Sequence, residues 1–238
     1  MQRSGRQHLS VLNRTLPSFY RGATADTKAL AAALPALPET ADELRAIAKI
    51  LGAKSEDIKL GEAASVTTVK NEPLDNYRVV YFATHALVAG QVEQFAKVNA
   101  EPALVLSIPD KPSEDDDGLL TASEIAMLKL NADFVVLSAC NTAAAYKPGA
   151  EALSGLARAF FYAGAKSLVV SHWNVDSEAT VALMEGLFEA LRANPRLSHA
   201  EALRMSMLRM IANSSTPEWA QPAFWAPFVV VGEPMKLQ

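Results

Sequence analysis

Short apolar runs recur along the chain and are separated by segments of helical periodicity. The runs are Val79–Thr84, Ala103–Leu106, Phe134–Ala139, Ser167–Val170 and Phe228–Val231. They are apolar almost throughout instead of alternating, as in strands whose two faces are both covered by helices. Strands that alternate with helices predict an α/β fold, with a mainly parallel sheet and helices on both of its faces.

Capping residues mark where several helices begin. The pattern Ser/Thr-x-x-Glu occurs at Thr40–Glu43, Thr121–Glu124 and Ser198–Glu201, and each occurrence predicts the start of a helix. Apolar residues follow the first of these boxes at helical spacing. Further helices are predicted near Ala150–Tyr162 and Ser177–Arg192.

The pattern predicts one domain preceded by an extension. No internal repeat, low-complexity segment or interior linker is visible, and 238 residues suffice for one large α/β domain. We place this domain at residues 35–238. Residues 1–34 begin with a polar, irregular stretch and are predicted to be an N-terminal extension, with a truncated first element as one interpretation.

Two of the predicted strands end on residues that can be reactive. His85 follows the run Val79–Thr84, and Cys140 follows Phe134–Ala139. Ligands and catalytic residues of such sheets lie just beyond the carboxyl ends of the strands. We therefore expect both residues at the same edge, where His85 would be the base for a cysteine nucleophile, Cys140.

Each candidate also has a structural interpretation. A lone cysteine is commonly a small buried hydrophobe, but polar residues follow Cys140 directly, and His85 ends its run instead of interrupting it. A second histidine, His172, also ends a strand and is a rival base, with a packing role as its alternative. The hydroxyl of Ser138 could orient a substrate or bond the backbone near its strand end.

Composition narrows the classes of function. The net charge of −4, with scattered basic residues, provides no basic surface for nucleic acid. No apolar run reaches the ~18–20 residues of a membrane span, and no signal peptide is predicted. One cysteine excludes an internal disulfide and fits a reducing, cytoplasmic compartment. With one cysteine and four histidines there is no paired ligand spacing, so neither a metal nor a cofactor is predicted.

Several motifs occur together in an order typical of one known family. They are Phe82–His85, Asp117–Glu124, Val136–Thr142, Leu156–Ala165 and Ser171–Asp176. In sequence and order they resemble the CHAT domain, a caspase-like domain usually found at the C-terminus of tetratricopeptide-repeat proteins, mostly in bacteria. The resemblance covers roughly Pro35 to the end of the chain. It implies a three-layer α/β/α sandwich and a cysteine endopeptidase with His85 as base and Cys140 as nucleophile.

The resemblance also implies partners and further site residues. The substrate would be a protein or peptide, and an upstream tetratricopeptide-repeat region would gate the activity. The backbone N–H groups of Ala86 and Cys140 would bind the oxyanion. Several relatives cleave after basic residues, so Asp176 and, as a weaker candidate, Asp110 could bind an Arg or Lys side chain. Asp176 could equally cap the helix that begins at Ser177.

An alternative hypothesis is a catalytically silent CHAT domain that binds or regulates other proteins. The commonest family form has glycine directly after the histidine, where this chain has Ala86, which disfavours a positive φ. The acidic run Glu114–Asp117 is expected to be a solvated loop, with attraction of a basic partner as its alternative. A small-molecule hydrolase or transferase is disfavoured because the Gly-x-Ser-x-Gly elbow and the phosphate-binding loop are both missing.

Overall fold

The computed structural model describes residues 31–32, 34, 37–87, 101–140, 152–172 and 176–232. The predicted N-terminal extension lies almost entirely outside these residues. So do the loop that follows Cys140 and the predicted start of a helix at Ala150.

Strands and helices alternate along most of the described chain. The strands are β1 (Val79–Leu87), β2 (Ala103–Val105), β3 (Leu119–Thr121), β4 (Phe134–Cys140), β5 (Ser167–Ser171) and β6 (Phe228–Gly232). The α-helices are α1 (Glu39–Leu51), α2 (Val66–Asn71), α3 (Ala122–Met127), α4 (Ala152–Ala163), α5 (Ser177–Ala193) and α6 (His199–Ile211). The element order confirms the predicted α/β fold.

The strands form one mixed sheet in the order β3-β2-β1-β4-β5-β6. The three central strands β1, β4 and β5 are parallel to one another, whereas the pairings of β2 with β1 and β3, and of β6 with β5, are antiparallel. A parallel arrangement therefore holds for the centre of the sheet, which contains both strands of the candidate site. Strand β3 was not predicted, because only two apolar residues, Leu119 and Leu120, precede the helix cap at Thr121.

Helices cover both faces of the sheet and divide the core into two clusters. Along β4, Val135 and Leu137 pack on one face, whereas Phe134 and Val136 pack on the other. The first face is covered by α2, α3 and α4, and the second by α1, α5 and α6. Because both faces are covered, most strand positions are apolar, as the sequence pattern indicated.

The helix starts agree with the capping patterns at three sites and disagree at one. Thr121 and Glu124 form the predicted capping box, Ser198 caps α6, and Asp176 caps α5. The predicted box at Thr40–Glu43 is wrong, since α1 begins at Glu39 and Thr40 lies within its first turn. Glu43 is only 3% exposed and bonds to the sheet instead, so its side chain is not available to cap the helix.

The acidic run Glu114–Asp117 is not simply a solvated loop, because Asp116 is buried. Its Oδ2 accepts hydrogen bonds from the backbone N–H of Thr67 at 2.9 Å and from the hydroxyl of the same residue at 2.7 Å. Its Oδ1 accepts another from the N–H of Gly118 at 3.2 Å. Asp116 therefore ties the loop before β3 to the start of α2, which local charge patterning does not reveal.

Candidate active site

The register of two neighbouring strands brings the predicted base and nucleophile together. Strands β1 and β4 pair in parallel from Val79 opposite Phe134 to His85 opposite Cys140. Neighbouring strands lie about 4.8 Å apart. The backbone positions of His85 and Cys140, 55 residues apart in the chain, are therefore side by side at the carboxyl end of the central parallel strands.

The strand that carries His85 extends further than the sequence pattern indicated. Strand β1 continues to Leu87, and its last three residues pair with the antiparallel strand β2. His85 thus has a strand on each side, with Val105 opposite it in β2. Ala86, predicted as an oxyanion donor, is paired with Leu104 and is 1% exposed. Cys140 is the last residue of β4, as expected.

The two predicted substrate-binding carboxylates lie in loops. Asp176 is exposed and its Oδ1 accepts a hydrogen bond from the N–H of Ala179 at 2.9 Å, which is the geometry of a helix cap. Asp110 is exposed in a bend after β2. The rival base His172 follows β5 and is also exposed, with its backbone N–H donating to the carbonyl of Pro227 at 2.9 Å. These three residues are not part of the register that joins His85 and Cys140.

A buried polar cluster lies on β1 and β4 just before the candidate pair. The hydroxyl of Tyr81 donates a short hydrogen bond to Oε1 of Glu43 on α1. Ser138 is buried two residues before Cys140, and its hydroxyl interacts with both Glu43 and Tyr81. Ser138 therefore belongs to this cluster, which joins α1 to the two strands of the site.

The electrostatics of this cluster follow from its burial. Burial raises the pKa of Glu43, although the hydrogen bonds from Tyr81 and Ser138 oppose the shift. Burial and the neighbouring carboxylate raise the pKa of Tyr81 well above its usual value. Sequence reasoning missed Glu43, but one signal was available: Glu43 lies four residues before Ile47, on the apolar stripe of its helix.

A second buried network lies at the opposite end of the central strands. Asp133 binds Arg78 at 2.6 Å and Lys166 at 2.7 Å. Although burial opposes the change, hydrogen bonds from Lys166 and Arg78 lower the pKa of Asp133. Ser167 donates to the backbone carbonyl of Asp133 at 2.9 Å and lies 2.6 Å from Nδ1 of His199.

This second network combines serine, histidine and aspartate but is not a hydrolytic site. Ser167 is completely buried and His199 is 1% exposed, so no substrate reaches the hydroxyl. The imidazole of His199 stacks on Phe134 with ring centroids 3.9 Å apart. Burial lowers the pKa of His199 to about 4, against an opposing effect of the Asp133 charge. Its role is therefore structural.

The described part of the chain offers neither a metal site nor a membrane-spanning helix. There, no cluster of three or more His, Cys, Asp or Glu side chains has an arrangement that could hold a metal ion. None of the described helices combines the length and the apolar character needed to cross a membrane.

A histidine and a cysteine thus occupy paired positions on two parallel strands of a mixed sheet that helices cover on both faces. The model of the CHAT domain family matches residues 3–233, almost the whole chain. The chain therefore belongs to the CHAT domain family, which confirms the resemblance inferred from its motifs.

Two curated relatives are tetratricopeptide-repeat proteins. The chain is 27% identical over 225 residues to Tetratricopeptide repeat protein 28 of Mus musculus, a match that covers 84% of this chain and 9% of that protein. It is 29% identical over 119 residues to Tetratricopeptide repeat protein 28 of Homo sapiens, covering 50% of this chain and 5% of that protein. The chain thus matches less than a tenth of the length of either relative.

Proposed function

We propose that this CHAT domain is a cysteine endopeptidase module in which Cys140 is the nucleophile and His85 is the base. The register of β1 and β4 carries this proposal, because it makes the two backbone positions direct neighbours. Side chains at such paired positions are close enough to interact. The chemistry requires such a pair, since a free thiol has a pKa near 8.5 and is mostly protonated at neutral pH.

In the proposed reaction, His85 takes the proton of the Cys140 thiol, and the thiolate attacks the carbonyl carbon of the scissile peptide bond. The backbone N–H groups of Ala86 and Cys140 are proposed to bind the oxyanion of the tetrahedral intermediate. The C–N bond then breaks, and His85 gives its proton to the departing amine. Water hydrolyses the remaining thioester and restores the thiol.

The surrounding structure supports a rigid site. Pairing on both sides holds the backbone of His85 in the sheet. The hydrogen bonds of Glu43 with Tyr81 and Ser138 connect α1 to β1 and β4, a few residues before His85 and Cys140. Catalytic groups are effective when supporting contacts of this kind fix their geometry.

We further propose that the substrate is a protein or peptide and that an upstream tetratricopeptide-repeat region gates the domain. The names of the two curated relatives support the association with such repeats. Binding of a basic side chain by Asp176 or Asp110 is part of this proposal. Action in a reducing, cytoplasmic compartment is consistent with the single cysteine.

One observation favours the alternative, a silent domain that binds other proteins. Ala86 is inside the ladder between β1 and β2 and is 1% exposed, instead of lying in an open loop after the histidine. An oxyanion donor must be accessible to the substrate carbonyl. The chemistry must therefore be tested at the cysteine itself.

The decisive experiment measures alkylation of Cys140 by iodoacetamide against pH, using mass spectrometry. We expect fast alkylation that persists well below pH 8 in the wild type and is lost in His85→Ala. His172→Ala is the matched control and should behave like the wild type. Slow alkylation that is the same in all three proteins would contradict the proposed pair and support the silent alternative. If the pair is present, Cys140→Ala should abolish peptide cleavage by the full-length protein.

A further inference from the structure

Two side chains of the sheet share a buried carboxylate just before the candidate pair. Tyr81 on β1 and Ser138 on β4 both form hydrogen bonds with Glu43 of α1, which is 3% exposed. The ring of Tyr81 also packs on Phe188 of α5, with centroids 6.1 Å apart. One carboxylate thus joins two neighbouring strands and a covering helix at a single point.

This point lies close to His85 and Cys140. Side chains alternate across a strand, so Tyr81 and His85 lie on the same face of β1. Ser138 is paired with Ala83, the residue between them on that face. Two residues further along the same ladder, about 7 Å away, His85 is paired with Cys140.

Stability alone does not account for a carboxylate at this place. Taking a charged group out of water is costly, and well-packed apolar side chains are often as stabilising as a buried polar set. On the same face of β4, the two preceding positions, Phe134 and Val136, are apolar and belong to the core. The change to a polar residue, Ser138, comes at the last step before the reactive pair, where geometry matters most for chemistry.

We propose that Glu43 is a positioning residue for the Cys140–His85 pair. The hydrogen bonds that it accepts from Tyr81 and Ser138 fix β1 and β4 relative to each other and to α1. A buried hydrogen-bond network has a defined geometry, whereas apolar contacts at this place would allow the strand ends to shift. This inference rests on the proposed function, since it requires the thiol and the imidazole to act together.

The experiment measures alkylation of Cys140 by iodoacetamide against pH in the folded protein, with urea unfolding of each variant alongside. Glu43→Leu removes the acceptor, and Ser138→Ala removes the link to β4. Each should slow alkylation at neutral pH by about tenfold, because a displacement of ~1 Å can cost a reaction up to about a hundredfold. Each profile should also shift towards that of an unpaired thiol, whose pKa is about 8.5. Glu43→Gln keeps an acceptor for Tyr81 and should stay within about threefold of the wild type.

Asp133→Asn is the matched control for a general loss of stability. Asp133 is buried, has Arg78 and Lys166 as ion-pair partners, and directly precedes β4. It lies at the far end of the same strand from Cys140, roughly 23 Å away. Asp133→Asn should lower the free energy of unfolding but leave alkylation within about twofold of the wild type.

The possible results have separate meanings. If Glu43→Leu and Ser138→Ala lose stability but keep the wild-type pH profile, the network is purely structural, and the inference is overturned while the proposed pair stands. If Asp133→Asn slows alkylation as much as they do, the effect is general and the inference also fails. If the wild type shows no His85-dependent reaction, the proposed function fails and this inference with it. Ser138→Ala, the milder change, decides the question if Glu43→Leu does not fold.

Discussion

Lowering the pH from 7.5 to 5.0 is expected to destabilise this protein through His199. The imidazole is buried between Ser167, 2.6 Å from its Nδ1, and the ring of Phe134, whose centroid is 3.9 Å away. Burial lowers its pKa to about 4 in the folded protein. In the unfolded chain a histidine has a pKa of about 6.5.

The sign and size of the effect follow from these two values. Because the folded pKa is the lower one, the unfolded chain binds the proton more readily, and its population rises as the pH falls. The contribution of His199 to stability is complete above pH 6.5 and is lost as the pH falls towards 4. At pH 5.0 the loss amounts to about 2 kcal/mol, a substantial part of the ~5–15 kcal/mol that stabilises a typical domain.

Urea unfolding at the two pH values measures this loss, with His199→Gln as the comparison. Glutamine cannot titrate, but its amide can donate a hydrogen bond to the hydroxyl of Ser167. Carboxylates such as Glu43, whose raised pKa acts in the opposite direction, contribute equally to both proteins and cancel in the difference. We expect the wild type to lose about 2 kcal/mol more than the variant between pH 7.5 and 5.0. Equal losses would refute the reasoning and mean that His199 is not held neutral by burial.

Three further predictions concern stability and are tested by urea unfolding at pH 7.5. Gly164→Ala should cost about 2–4 kcal/mol, because φ is +111° and a Cβ would lie 2.2 Å from a backbone oxygen. Gly52→Ala, at φ +70° with nothing within 4 Å, should cost only about 1 kcal/mol, and equal losses would contradict the steric argument. Glu43→Leu should cost about 1–3 kcal/mol more than Glu43→Gln, since it removes the side-chain oxygen that accepts the hydrogen bond of the Tyr81 hydroxyl. No difference between the two variants would exclude this hydrogen bond as a stabilising contact. Asp176→Ala should lose about 1 kcal/mol and Asp176→Asn almost nothing, whereas equal losses would argue against the helix cap.

Strand β1 connects the features proposed here. Near its carboxyl end it carries His85, opposite Cys140 of β4, and Tyr81 bonds to α1 from within it. Buried sheets are stiff because they are packed closely on both faces. Cys140 alkylation should therefore be measured on the Glu43 variants as well, since a change along β1 could affect it.

Local pattern in the sequence was sufficient for most of the strands, for several helix starts and for the positions of His85 and Cys140 on their strands. The apolar runs located β1, β2, β4, β5 and β6, because a strand covered on both faces is apolar at most of its positions. The caps at Thr121, Asp176 and Ser198 could also be predicted, because a capping side chain and the backbone N–H from which it accepts lie within one turn of each other. The sequence order of His85 and Cys140, each after such a run, indicated the reactive edge.

Only the tertiary structure decided what depends on contacts between distant parts of the chain. The register that sets His85 opposite Cys140 arises from seven paired residues on two strands, and a shift by one residue would separate them. The sequence around Glu43 predicts a capping role, but its side chain is buried, where it forms hydrogen bonds with Tyr81 and Ser138. Asp116, from an acidic run, is likewise held by residues far away in sequence. Strand register and the burial of single polar side chains depend on how distant segments pack together, so a local sequence pattern does not predict them.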